Sequence, residues 1–175
     1  MDAVHALYDW FIAHGGQISR SLELAKGASH GYYIRVREDS ETIASKVCII
    51  NCPFSLTLSY LNVTNTHPFQ SHGDSLPDSF VGAMDRHTVT VFFLMLQYLK
   101  REESFWWPYI RSLPQPNERD KFGTLFWFSE EDRLWLLGTD LDESSLTRIA
   151  LWKSDWERAV EILRRLDWLV DVYTW

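Results

Sequence analysis

Arg86-His87-Thr88-Val89-Thr90-Val91-Phe92-Phe93-Leu94-Met95-Leu96-Gln97-Tyr98-Leu99 is where this sequence changes its hydrophobic rhythm. Upstream, apolar residues tend to alternate, about every second position; from Arg86 they recur roughly every 3.6, the period of a helix. Val89, Phe92, Phe93, Leu96 and Leu99 share one face of that helix, and Trp106 continues the series. The stretch predicts a buried helix. Pro108, Pro114 and Pro116 predict that its continuation is cut into shorter pieces, because proline removes a backbone donor and crowds the preceding turn.

Working outward, Ala3, Leu7, Trp10, Phe11 and His14 fall at helical spacing, and Gly15-Gly16 ends that helix. Leu22-Glu23-Leu24 alternates, Tyr32 to Arg37 is extended in character, and the glycine-bracketed stretch Lys26 to Gly31 is a turn between them. Val47 to Ile50 is β-branched and is expected to be a buried strand. Residues 62–84, rich in Asn, Thr, His, Pro, Ser, Asp and Gly, are expected to form an exposed loop. Towards the C-terminus, Ser129 is an N-cap, with Asp132 in the first turn, for a helix through Leu136 that Gly138 closes. Asp142 or Ser144 is expected to open a long amphipathic helix to about Leu166, with Ile149, Trp152, Trp156, Val160 and Leu163 on one face. Strands and helices are segregated along the chain, so the fold class is α+β.

The chain has 175 residues and a formal net charge of -7, with nine tryptophans, ten phenylalanines and seven tyrosines. Aromatics of this number belong largely in a core or an interface. The negative charge argues against nucleic acid as a partner, since that binding relies on Lys and Arg at phosphates, and against an anionic membrane surface. The Met1 to His5 start lacks the basic and apolar regions of a secretory signal, and the apolar run Val89 to Leu96 is short of a membrane span. A cytoplasmic or nuclear location is expected. Cys48 and Cys52 imply no disulfide framework; with no second pair at zinc spacing, they read as inert buried thiols.

Five segments carry a resemblance. Trp10 to Gly16 resembles the W-x-x-x-x-G-G opening helix of SET-domain proteins of the Rubisco large-subunit lysine methyltransferase type. Ser104 to Pro114 resembles their S-F-W-x-P-Y segment, and Leu125 to Glu131 and Leu136 to Thr139 resemble two later landmarks. Pro53 to Val63 looks most like fungal members. The resemblance implies a split domain: an N-terminal SET β-region with its opening helix and loop over 1–84, and a helical SET insert over 85–175. It also implies S-adenosylmethionine as cofactor, bound near Ser29, His30 and Gly31 and on a floor including Leu61 and Asn62. A non-histone protein substrate would meet the helical insert, and catalysis would be mainly positioning and desolvation of the lysine amine.

Two departures from the family pattern stand out. The sequence contains no Asn-His pair, the family's catalytic-core motif, and His30 replaces the arginine of a Gly-Arg-Gly cofactor loop. The expectation is therefore the N-terminal portion of a methyltransferase, truncated before the catalytic core, inactive alone and without catalytic residues of its own. Two alternatives remain open: a non-catalytic binding or scaffold remnant, self-associating through exposed aromatic surface, and a pocket protein recruited to small-molecule (secondary metabolite) biosynthesis.

Plainer readings stand beside these. His30 is an exposed turn residue as readily as a partial cation near a cofactor carboxylate. Glu130, Glu131 and Asp132 suit a helix dipole rather than acid–base work. His67 and His72 lack a third ligand at fixed geometry, so no metal site is expected. Packing of a helix explains the aromatic run from Ser104 to Tyr109.

Overall fold

The computed structural model describes residues 2–28, 31–39, 43–115, 117 and 124–168. Helix α1 (Ala3–Ala13) starts where the Asp2 carboxylate accepts from Val4 N at 3.1 Å. It stops at Gly15, whose φ of 88° suits glycine. Gly16 is required for space: a Cβ there would stand 2.5 Å from the Phe11 ring.

Two small antiparallel sheets follow. Strand β1 (Gln17–Ile18) pairs with β4 (Ile50–Asn51). Strand β2 (Leu22–Gly27) pairs with β3 (Gly31–Val36), in a register running from Leu22 opposite Val36 to Gly27 opposite Gly31. The fold is thus α+β.

Val47 to Ile50 is not a buried strand. Only Ile50 joins one, and Val47 is 52% exposed, with Ile49 and Ile50 also open. The sheet it edges has two strands, with no third strand among the described residues to extend it. β-Branching alone is no guarantee of burial. Cys48 and Cys52 share this setting; both are exposed free thiols, contrary to their reading as buried ones.

Residues 62–84 also depart from expectation. The segment begins inside α2 (Tyr60–Val63) and ends with α3 (Asp78–Ala83). Leu76, Phe80 and Met84 are buried, Phe80 completely. Each such side chain contributes on the order of 1.5–3 kcal/mol by leaving water. Asp74, nearly buried, is ion-paired with Lys100, which ties the segment to α4.

Helix α4 (Arg86–Lys100) is the centre of the core. Asp85 caps it, accepting from His87 N and Thr88 N at 2.9 and 3.1 Å. Val89, Phe92, Phe93 and Leu96 turn inward, as their spacing predicts, whereas Leu99 is exposed at the end. After a short 3-10 turn comes α5 (Trp107–Ser112), with Pro108 in its first turn, where a missing N–H costs nothing. Helix α6 (Glu130–Arg133) is capped by Ser129, whose Oγ accepts from Asp132 N at 3.1 Å, and passes into a 3-10 turn over Leu134–Leu136.

Helix α7 (Asp140–Arg165) starts after Thr139, ahead of the expected Asp142 or Ser144. The acids of the first turn are already helical, where they complement the dipole. Its C-terminal half buries Ala159, Val160 and Leu163 against α4, α3 and α5 in one cluster with Trp106 and Ile110. Its N-terminal half leaves Leu141, Leu146 and Leu151 open. Among the described residues, no helix is long and apolar enough to cross a membrane.

Candidate functional site

The β2–β3 turn lies beside the N-terminus of α1. Tyr32 donates its hydroxyl to the Asp2 carboxylate, and Lys26 lies 3.9 Å from the same group and 5.0 Å above the Tyr32 ring. The Tyr32 hydrogen bond, then the Val4 amide, holds the Asp2 carboxyl below its ordinary range; the same hydrogen bond raises the Tyr32 phenol. One carboxylate therefore fastens the hairpin to the helix it caps. Ser29 and His30 lie outside the described residues. Gly31 opens β3 at φ 68°, and a Cβ there would meet nothing within 4 Å. Backbone conformation, not crowding, calls for glycine at that position.

Leu61 and Asn62 sit in α2. Leu61 is 36% exposed, whereas Asn62 is fully buried. Asn62 Oδ1 accepts from Ser59 N at 2.7 Å and Ser59 Oγ at 3.0 Å, and Nδ2 donates to the Gln70 carbonyl at 3.0 Å. Its amide thus closes a capping box and pins the loop after it. Among the described residues, no hydrogen bond joins this helix to the β2–β3 turn.

The aromatic run of residues 104–109 does join distant elements. Phe105 stacks on His72 at 3.5 Å and 11°, and meets Trp10 and His14 edge-on at 5.3 and 5.2 Å. His72 Nε2 is 3.3 Å from the Ser55 carbonyl, an acceptor that favours a proton on that nitrogen. His72 is therefore a packed ring. Trp106, fully buried, donates from Nε1 to the Leu56 carbonyl at 3.2 Å. Ser104 Oγ donates to Gln97 Oε1 at 2.7 Å and accepts from Trp106 N at 3.1 Å, fixing that ring. Among the described residues, no group of three or more His, Cys, Asp or Glu is placed to hold a metal.

Sequence reasoning missed a cleft of about 650 Å³ between the start of α4 and the middle of α7, walled on one side by the 3-10 turn Leu125–Trp127. Phe92, Phe126, Trp127, Trp152 and Trp156 line it, with Asp155 as its acid. The Phe126 and Trp152 rings meet at 4.7 Å and 53°. Trp152 and Trp156 recur at i, i+4, which the helical period legitimately assigns to one face. What the period does not tell is that this part of the face borders a cleft.

No family model matches the chain. Over 155 residues, 86% of its length, the chain is 26% identical to Ribosomal lysine N-methyltransferase set10 of Schizosaccharomyces pombe, and it spans 26% of the length of that relative. The similarity supports a relationship to SET-like lysine methyltransferases, a family in which S-adenosylmethionine is the methyl donor.

Proposed function

We propose that this chain supplies the cofactor turn and helical insert of a protein lysine methyltransferase of the Rubisco large-subunit type, acting on a non-histone protein. The observation that carries this reading is the 26% identity sustained over 86% of the chain. The relative is a ribosomal lysine methyltransferase, which makes a ribosomal-protein lysine the first substrate to try.

Two features of the described residues support the cofactor part of this reading. The left-handed Gly31 has open space where a side chain would stand, so a ligand can approach its backbone. Leu61 offers an exposed apolar side chain. Asn62 acts in this reading by holding Leu61 in place, since its own amide is engaged with Ser59 and Gln70. The sequence has no Asn-His pair, the motif the family resemblance assigns to the catalytic core, and in this reading methyl transfer draws on groups beyond those named here.

Calorimetric titration with S-adenosylmethionine tests the reading. The expected outcome is binding tighter than about 1 mM, weakened in Gly31→Val, with no methyl transfer to ribosomal protein by this chain alone. Binding no better than millimolar removes the cofactor role.

A second reading has its own support. Leu134, Trp135, Leu137 and Leu141 stand open on the 3-10 turn after α6 and on into the start of α7, with Trp135 86% exposed. Apolar surface of this kind marks association sites. In this reading the chain is a binding module that self-associates or takes a protein partner through the insert.

A further inference from the structure

We propose that the cleft between α4 and α7 binds a quaternary alkylammonium group, presented as the trimethylated lysine side chain of another protein. The site stands whether or not this chain takes part in methyl transfer.

Three features define the ligand. The first is the aromatic wall. Phe126 and Trp152 form a tilted corner at 4.7 Å and 53°, and Trp152 keeps 38% of its surface exposed. Ring faces attract cations through their quadrupole, tryptophan most strongly.

The second is charge. Asp155 lies in the cleft wall and Asp85 beside its mouth, next to the lining residues His87 and Thr88. Arg158 is the cation that meets both, at 3.6 Å and 4.0 Å. Those contacts are long, and all three side chains are about half exposed, so they hold Arg158 weakly. Among the described residues joined by these contacts, two carboxylates face one guanidinium, a local excess of negative charge on a chain of net charge -7.

The third is the apolar character of the lining, in which His87, Thr88 and Asp155 are the polar side chains and the rest are aromatic or aliphatic. A primary ammonium brings three donors and needs acceptors for them. A trimethylammonium brings none, is weakly hydrated, and asks only for ring faces and a nearby carboxylate. The cleft is larger than that head group. Val91, Met95 and Ile149 supply an apolar wall along which a four-carbon arm can lie, and this favours lysine as the carrier.

Calorimetry on the full chain tests the proposal with three probes: Nα-acetyl-trimethyllysine amide, its neutral isostere with a tert-butyl group in place of trimethylammonium, and unmethylated Nα-acetyl-lysine amide. The trimethyl compound is expected to bind about tenfold more tightly than either of the others. Trp152→Ala should weaken it by about tenfold, Trp152→Phe by less, and Asp155→Asn by roughly twofold to fivefold. Helical circular dichroism checks that each variant is folded. If Trp152→Ala does not fold, the comparison of probes on the wild-type chain still decides. Equal binding of the neutral isostere overturns the proposal in favour of a merely apolar groove. So does the absence of any binding at about 10 mM.

Discussion

Asp85 shows how much one side chain settles. Its two oxygens accept from His87 N, Thr88 N and the Thr88 hydroxyl, satisfying donors that the first turn of α4 leaves unpaired. The hydroxyl bond, then the Thr88 amide, lowers its pKa below the ordinary carboxylate value. A depressed folded pKa means stabilisation that is complete above the unfolded pKa and is lost as pH falls through the lower, folded value. Asp85→Ala is expected to cost about 0.5–2 kcal/mol in urea denaturation at pH 7. The gap to wild type should shrink below about pH 4. A gap of the same size at about pH 2 would show that the ionised carboxylate is not its source. Asn62 makes the opposite kind of point. It is a polar residue in a candidate cofactor segment, but its amide is bonded within its own neighbourhood.

At the scale of elements, α7 is two different helices end to end. Leu163→Ala should cost about 2–5 kcal/mol, because a fully buried leucine leaves a cavity. Leu151→Ala, at an exposed position, should stay within about 0.5 kcal/mol. Thermal denaturation of the two variants checks this, and equal losses would mean that the N-terminal half is also packed. The helical period already puts Leu163 on the inward face and leaves Leu151 off it. Legibility followed the range of the determining forces. The helices α1 and α4 carry their period and their stops or caps within a few residues, and the structure has them where the sequence places them; α6 starts at its Ser129 cap but gives way to a 3-10 turn at Leu134, short of the expected helix through Leu136. Leu76, Phe80 and Met84 are isolated apolar residues in polar surroundings, and their burial is decided by α4 and α7, far off in sequence. Val47 to Ile50 failed the other way: its composition suits an interior, but it edges a two-stranded sheet and is left open. The candidate cofactor turn has no periodic signal at all. Only resemblance pointed to Ser29, His30 and Gly31, and the first two lie outside the described residues. The cleft between α4 and α7 stayed hidden because the spacing of Trp152 and Trp156 is the same for a packed face and for a cleft wall.

At the scale of the whole molecule, the core lies to one side, around α4, α5 and the end of α7, while the β3 strand, residues 47–50 and the α6–α7 junction present apolar side chains outward. Sedimentation velocity at about 100 μM is expected to show self-association, which Trp135→Ser with Leu137→Ser should abolish. A wild-type monomer at that concentration would remove self-association from the second reading. The Trp106 indole, held to a carbonyl fifty positions earlier in the chain, has a different kind of consequence. It closes a long loop, and the entropy of closing a loop grows only with the logarithm of its length. Lengthening the connection between α2 and α3 by about ten residues would add only roughly 0.2 kcal/mol to that closure. The spacing between the two ends of the loop is thermodynamically almost free to drift, while the partners that meet there are not. Closure entropy alone therefore does not forbid insertions or deletions in this connection; those that displace His72 from Phe105 or Asp74 from Lys100 are the ones that would loosen the corner.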